Sequence, residues 1–96
     1  IVRIFLVESP RLLEDIATGL TRHDAPGVRR AAHTIKGGLR MFGADGAYDL
    51  ATQIEAYGQT GDLSAVPEPF ESLKLAYAEV EKELSEFLKD VSPSPV

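Results

Sequence analysis

With 96 residues, 44% of them hydrophobic, the chain is long enough for one buried core and too short for two domains. A net charge of −5 is the wrong sign for a nucleic-acid surface, and no apolar run approaches the roughly 20 residues of a membrane span. The lack of cysteine excludes a disulfide frame and a thiolate metal site, and it suits a reducing compartment, so the expected location is cytoplasmic.

Taken in order, Ile1, Val2, Ile4, Phe5 and Leu6 make an apolar patch that Glu8-Ser9-Pro10 punctuates. Ser9 capping a new helix that starts at Pro10 and one helix bent at the proline both fit. The reading adopted is a short additional helix at the N-terminus. Leu12, Leu13, Ile16, Ala17 and Leu20 then form a helical stripe, and Arg22-His23-Asp24 is a turn in which Asp24 caps a helix tolerating Pro26 in its first turn. That central helix runs from about Ala25 to Phe42, with Val28, Ala32, Ile35, Leu39 and Phe42 on its core face and Gly43 closing it. Ala47, Leu50, Ala51, Ile54 and Tyr57 give the next helix its buried side. After a connection marked by Gly58, Gly61, Pro67 and Pro69, the residues Phe70, Leu73, Tyr77, Val80, Leu84, Phe87 and Val91 recur at three and four.

No segment alternates with period two, so the fold class is all-α. The expected architecture is an antiparallel up-down-up-down four-helix bundle, monomeric as an isolated domain, over residues 1–91. Residues 92–96, Ser-Pro-Ser-Pro-Val, read as a disordered tail or the start of a linker. The absence of an initiator methionine or signal-peptide pattern fits a trimmed chain or a module cut from something longer.

The central helix carries the chemistry. At 100° per residue, Arg29, His33, Lys36, Gly37 and Arg40 fall on the side opposite its apolar stripe. Gly37 and Gly38 each cost about 1 kcal/mol relative to alanine in mid-helix, and close approach of another body to His33 is the reason read for them. An accessible, uncharged imidazole nitrogen flanked by cations is a nucleophile suited to a phosphoryl group. Arg29, Arg30 and Arg40 would counter phosphoryl charge or steer an acidic partner, unless they are ordinary surface arginines. Apolar docking surface near His33 would come from Leu13, Ile16, Ala17 or Met41, most of which also suit the core. His23, in its turn, has no spacing to His33 that suits a metal site.

The stretch His33-Thr34-Ile35-Lys36-Gly37-Gly38, preceded by Ala31-Ala32 and closed by Phe42-Gly43-Ala44, resembles the motif of the histidine-containing phosphotransfer (HPt) family. That motif is His-x-x-Lys-Gly with a glycine ten residues after the histidine, which Gly43 supplies. The order of helices and the Gly61-Asp62-Leu63 turn are similar too, so the resemblance covers nearly the whole chain. It implies that His33 is phosphorylated on Nε2, that Lys36 steadies the phosphoryl oxygens, and that Gly37 leaves room for an incoming receiver domain. Gly38 fits the two-glycine variant seen in chemotaxis-kinase phosphoacceptor domains. In that group a glutamate 22 residues after the histidine accepts the Nδ1 hydrogen bond, and Glu55 holds the position where many other members carry glutamine. Glu55 also follows Ile54 at the flank of its helix, within reach of the His33 face; the alternative is a solvated helix charge.

The function implied is that of a phosphoryl carrier in a two-component phosphorelay. It would accept the group from a receiver aspartate or a histidine kinase catalytic domain and pass it to a response-regulator aspartate. The resemblance implies no cofactor of the chain's own, with Mg2+ supplied by the partner receiver domain. Within the family the choice lies between a C-terminal module of a hybrid kinase, a stand-alone carrier and the N-terminal phosphoacceptor of a chemotaxis-type kinase. Glu55 and the double glycine lean towards the last, the short Arg22-His23-Asp24 connection and the proline-rich tail towards the first. The rival of a different class is a helical docking or dimerisation module in which His33 is incidental.

Overall fold

The apolar periodicities resolve into four helices in the computed structural model, which describes residues 1–91: α1 (Val2–Thr21), α2 (Ala25–Met41), α3 (Asp45–Thr60) and α4 (Pro67–Val91). A single 3-10 turn, Leu63–Ala65, lies between α3 and α4, and no strand occurs among the described residues. The expectation for residues 92–96 lies outside the described residues.

The separate N-terminal helix expected before Pro10 is not formed: Pro10 sits inside α1, which continues through it. The reason is phase. Phe5 and Leu6 before the proline and Leu12, Leu13 and Ile16 after it pack on the same core, in one unbroken helical period. Burial of such side chains, at roughly 1.5–3 kcal/mol each when complete, offsets a proline penalty of about 3 kcal/mol. Ser9 is buried and makes no capping bond.

Where α1 meets α2, Gly19 lies against Val28 at one end and Phe5 against Gly38 at the other, so the two helices run in opposite directions. The same holds for α2 and α3, where Arg29 meets Gly58 and His33 meets Glu55. The core between the helices is filled by Ile16, Val28, Ile35, Leu39, Ile54 and Leu73, all fully buried. Phe5 packs its ring 5.0 Å from Phe42 and 5.9 Å from Tyr77, which ties α1 to α2 and α4.

Phe87 departs from the expected stripe: it is 51% exposed. At 25 residues α4 is longer than α1 with 20, α2 with 17 and α3 with 16. Helical periodicity therefore continues past the level at which there are neighbours to cover it.

The turns are built from local chemistry. Asp24 Oδ1 accepts from the Gly27 backbone N–H at 3.1 Å, capping α2 with Pro26 in its first turn. Gly61 ends α3 in the left-handed region at φ +84°, its N–H donating to Tyr57 O. His23 takes the same handedness, φ +55°, in the α1–α2 turn, although it carries a β-carbon. Left-handed backbone costs such a residue roughly 1–2 kcal/mol, part of which glycine gives back in unfolded-state entropy. His23→Gly should therefore raise stability by about 0.5–1 kcal/mol in urea unfolding; a lower midpoint would show that the imidazole contributes more than the strain costs.

Candidate functional site

The residues singled out in the sequence meet on the α2–α3 side of the bundle. The helical period of α2 puts His33 on the solvent side, where its side chain is 66% exposed. Ile54 is fully buried in α3, so its neighbour Glu55 stands at the edge of the α2–α3 interface, only 16% exposed. His33 Nδ1–H donates to Glu55 Oε2 at 2.6 Å. Lys36, one turn further along α2 and 22% exposed, donates from Nζ to the other oxygen, Oε1, at 2.5 Å. One carboxylate thus holds both polar side chains of the His-x-x-Lys pair, a bridge between His33 and Lys36 that the sequence did not reveal.

The protonation states follow. The Lys36 ammonium bonded to Glu55 holds its carboxyl below the ordinary value; burial opposes this and the His33 hydrogen bond assists it. An ionised carboxylate can only accept, so Nδ1 carries the proton and, in the neutral ring, Nε2 carries the lone pair. The site therefore presents one defined nucleophilic nitrogen on an exposed ring.

Arg29, Arg30 and Arg40 are all exposed, and none forms a salt bridge among the described residues. The helix that bears them holds four cations and no carboxylate, in a chain whose net charge is −5. Arg30 also borders a groove of about 290 Å³ between α1 and α2, with Leu12, Asp15, Arg22 and Thr34. No apolar or charge periodicity signals that groove.

The two glycines part company. A β-carbon at Gly37 would meet nothing within 4 Å, so the surface beside His33 is open there. A β-carbon at Gly38 would lie 2.5 Å from the ring of Phe5, so the room left by Gly38 is filled by this chain's own α1. Of the apolar residues weighed for docking, Ile16 is fully buried, Leu13 and Ala17 are half-buried against the core, and Met41 is 64% exposed. Ile4, beside Phe5, is 67% exposed, and the sequence had counted it only as part of an N-terminal patch. Among the described residues no group of three or more His, Cys, Asp or Glu side chains is placed to hold a metal ion, and no helix is long and apolar enough to cross a membrane.

The family model described as Hpt domain matches residues 1–87. The fold is similar to the crystal structure of histidine-containing phosphotransfer protein B from Pseudomonas aeruginosa, with a TM-score of 0.90 at 23% identity. That likeness covers 95% of this chain and 79% of the other. No curated protein matches the chain in sequence.

Two measurements follow from this geometry. Gly37→Ala should leave stability unchanged or raise it by up to about 1 kcal/mol, whereas Gly38→Ala should lower it by about 1–3 kcal/mol as the methyl group drives Phe5 from its place between Phe42 and Tyr77. Equal effects in thermal or urea unfolding would contradict the division between them. The second concerns pH. A carboxyl whose pKa is depressed on folding adds stability above its ordinary pKa, and that stability is lost as pH falls through the folded value. The stability advantage of the native protein over Glu55→Gln should therefore be largest at neutral pH and shrink in acid; an advantage that grew in acid would contradict the Lys36–Glu55–His33 assignment.

Proposed function

The chain belongs to the Hpt domain family, and from that premise we propose that it is a phosphoryl carrier of a two-component phosphorelay, with His33 as the residue that is phosphorylated. The observation that supports this most is the 2.6 Å hydrogen bond between His33 Nδ1 and Glu55 Oε2, which leaves Nε2 as the free lone pair on an exposed ring. In the forward step Nε2 attacks the phosphorus of a receiver domain's phosphoaspartate. The N–P bond forms as the P–O bond to the aspartate breaks, and the aspartate leaves as carboxylate; transfer to the next receiver reverses those bonds. A kinase catalytic domain is the other donor in this reading.

Glu55 orients the ring and stabilises the positive charge that the imidazole gains as Nε2 bonds to phosphorus. Lys36, held one turn away on the same carboxylate, is the group that steadies the phosphoryl oxygens. Arg29, Arg30 and Arg40 counter the transferred charge or draw in the acidic surface of a receiver. Gly37 supplies the clearance for it, with Ile4 and Met41 as exposed apolar contacts, while Gly38 acts by seating Phe5. Mg2+ belongs to the partner receiver in this reading, and the domain works as a cytoplasmic monomer. The up-down-up-down order of all four helices belongs to the same reading, supported by the opposed α1–α2 and α2–α3 pairings.

The test is phosphotransfer itself. Incubation with receiver domains charged by acetyl phosphate should give an acid-labile label that His33→Gln abolishes. Glu55→Ala should slow its appearance about tenfold with the fold intact, the usual scale for loss of an orienting partner. No label from a broad panel of receivers would instead favour a docking or dimerisation module in which His33 is incidental.

A further inference from the structure

Gly58 is fixed in place by something that the phosphotransfer motif does not contain. It lies in α3, three residues after Glu55 and therefore on the same side of the helix, and it is buried. A β-carbon built there would stand 2.9 Å from Arg29 N and 3.0 Å from both Arg29 Cα and Cβ. The obstacle is largely the backbone of α2, which cannot turn aside as the end of a flexible side chain can. Arg29 in turn precedes His33 by one helical turn. The close approach of α3 to α2 at Gly58 and Arg29 is thus one turn from the hydrogen bond between Glu55 and His33.

We infer that Gly58 is a positioning residue for phosphoryl transfer: by letting α3 approach the α2 backbone, it sets the distance at which the Glu55 carboxylate holds His33 Nδ1. This rests on the reading of Glu55 as the orienting carboxylate. Ordinary carbon contacts lie at about 3.5–4.0 Å, so a methyl group at position 58 makes α3 retreat by about half an ångström or more. Added to the present 2.6 Å, that retreat carries the Nδ1–Oε2 bond towards the long edge of hydrogen-bonding range. Lys36 stands on α2 like His33 and holds the second Glu55 oxygen at 2.5 Å, so a retreat of α3 strains both hydrogen bonds to the carboxylate at once. The other helical glycine of α3, Gly46, shows the contrast: a β-carbon there meets nothing within 4 Å.

The experiment compares the native protein with Gly58→Ala, Glu55→Ala, the double variant and Gly46→Ala. Nitrogen NMR of the His33 ring reads the tautomer, and a charged receiver domain reads the rate of labelling. Gly58→Ala should move His33 from the Nδ1–H form towards a mixture of tautomers. It should slow labelling by between about twofold and the roughly tenfold expected of Glu55→Ala, and cause no further loss when Glu55 is already alanine. Gly46→Ala should change neither readout. A native tautomer in folded Gly58→Ala, or the same fractional loss of rate in both Glu55 backgrounds, would overturn the positioning role. Native labelling by Glu55→Ala would instead remove the orienting role on which it rests, and the two failures are distinguished by which variant shows them. Should Gly58→Ala fail to fold, it is repeated together with Gly46→Ala, which favours α3 without adding a contact; failure of that pair as well would make Gly58 a requirement of the fold alone and overturn the inference.

Discussion

The His33–Glu55 hydrogen bond is the polar contact that the packing of α2 against α3 holds in place. It crosses from α2 to α3, and both ends are anchored by buried neighbours: Ala32 on one side, and Ile54 on the other, all without exposure to solvent. A histidine that is two-thirds exposed has no packing of its own to fix its ring. The carboxylate supplies that constraint, and Lys36 on the second oxygen keeps the carboxylate ionised and in place. Three side chains thus form one electrostatic unit, in which the cation guarantees the acceptor and the acceptor guarantees the tautomer.

Around that unit, four glycines show how different the uses of a missing side chain are. Gly37 leaves open surface, Gly38 admits the Phe5 ring, Gly19 admits Val28, and Gly58 admits the Arg29 backbone. Three of the four settle contacts between helices of this chain. The distances between α1, α2 and α3 are therefore set in large part by residues that contribute no apolar area, and the large side chains fill the space that those approaches leave.

Much of this was legible in the sequence. The stripes in α2 and α3 predicted the buried face of each helix, and the Asp24 cap and Pro26 marked the start of α2 because capping is a local chemistry. The candidate residues His33, Lys36 and Glu55 were legible from spacing and resemblance, and the structure brings them together. What escaped was set by tertiary contact. Pro10 signals a helix boundary locally, and only the shared core on both sides of it makes α1 continuous. The periodicity of Phe87 reads as core because a sequence does not record where the neighbouring helices stop. Gly38 and Gly37 look alike in the chain and differ only in which helix stands before them. The Lys36–Glu55 pair has no sequence signal because its partners lie 19 residues apart on different helices, and only the packing of α2 against α3 brings them together.

The uneven charge of the molecule has a consequence for how it meets another. An acidic body approaching at random encounters repulsion over much of a surface whose total is −5, and attraction at Arg29, Arg30 and Arg40 of α2, which are exposed and form no salt bridge among the described residues. The long-range field therefore sorts approaches by orientation before any contact is made, discarding those that would land on the wrong face. The acidic remainder of the domain thus works together with the arginines: repulsion elsewhere makes the α2 surface, by contrast, a favourable place for an acidic body to stay.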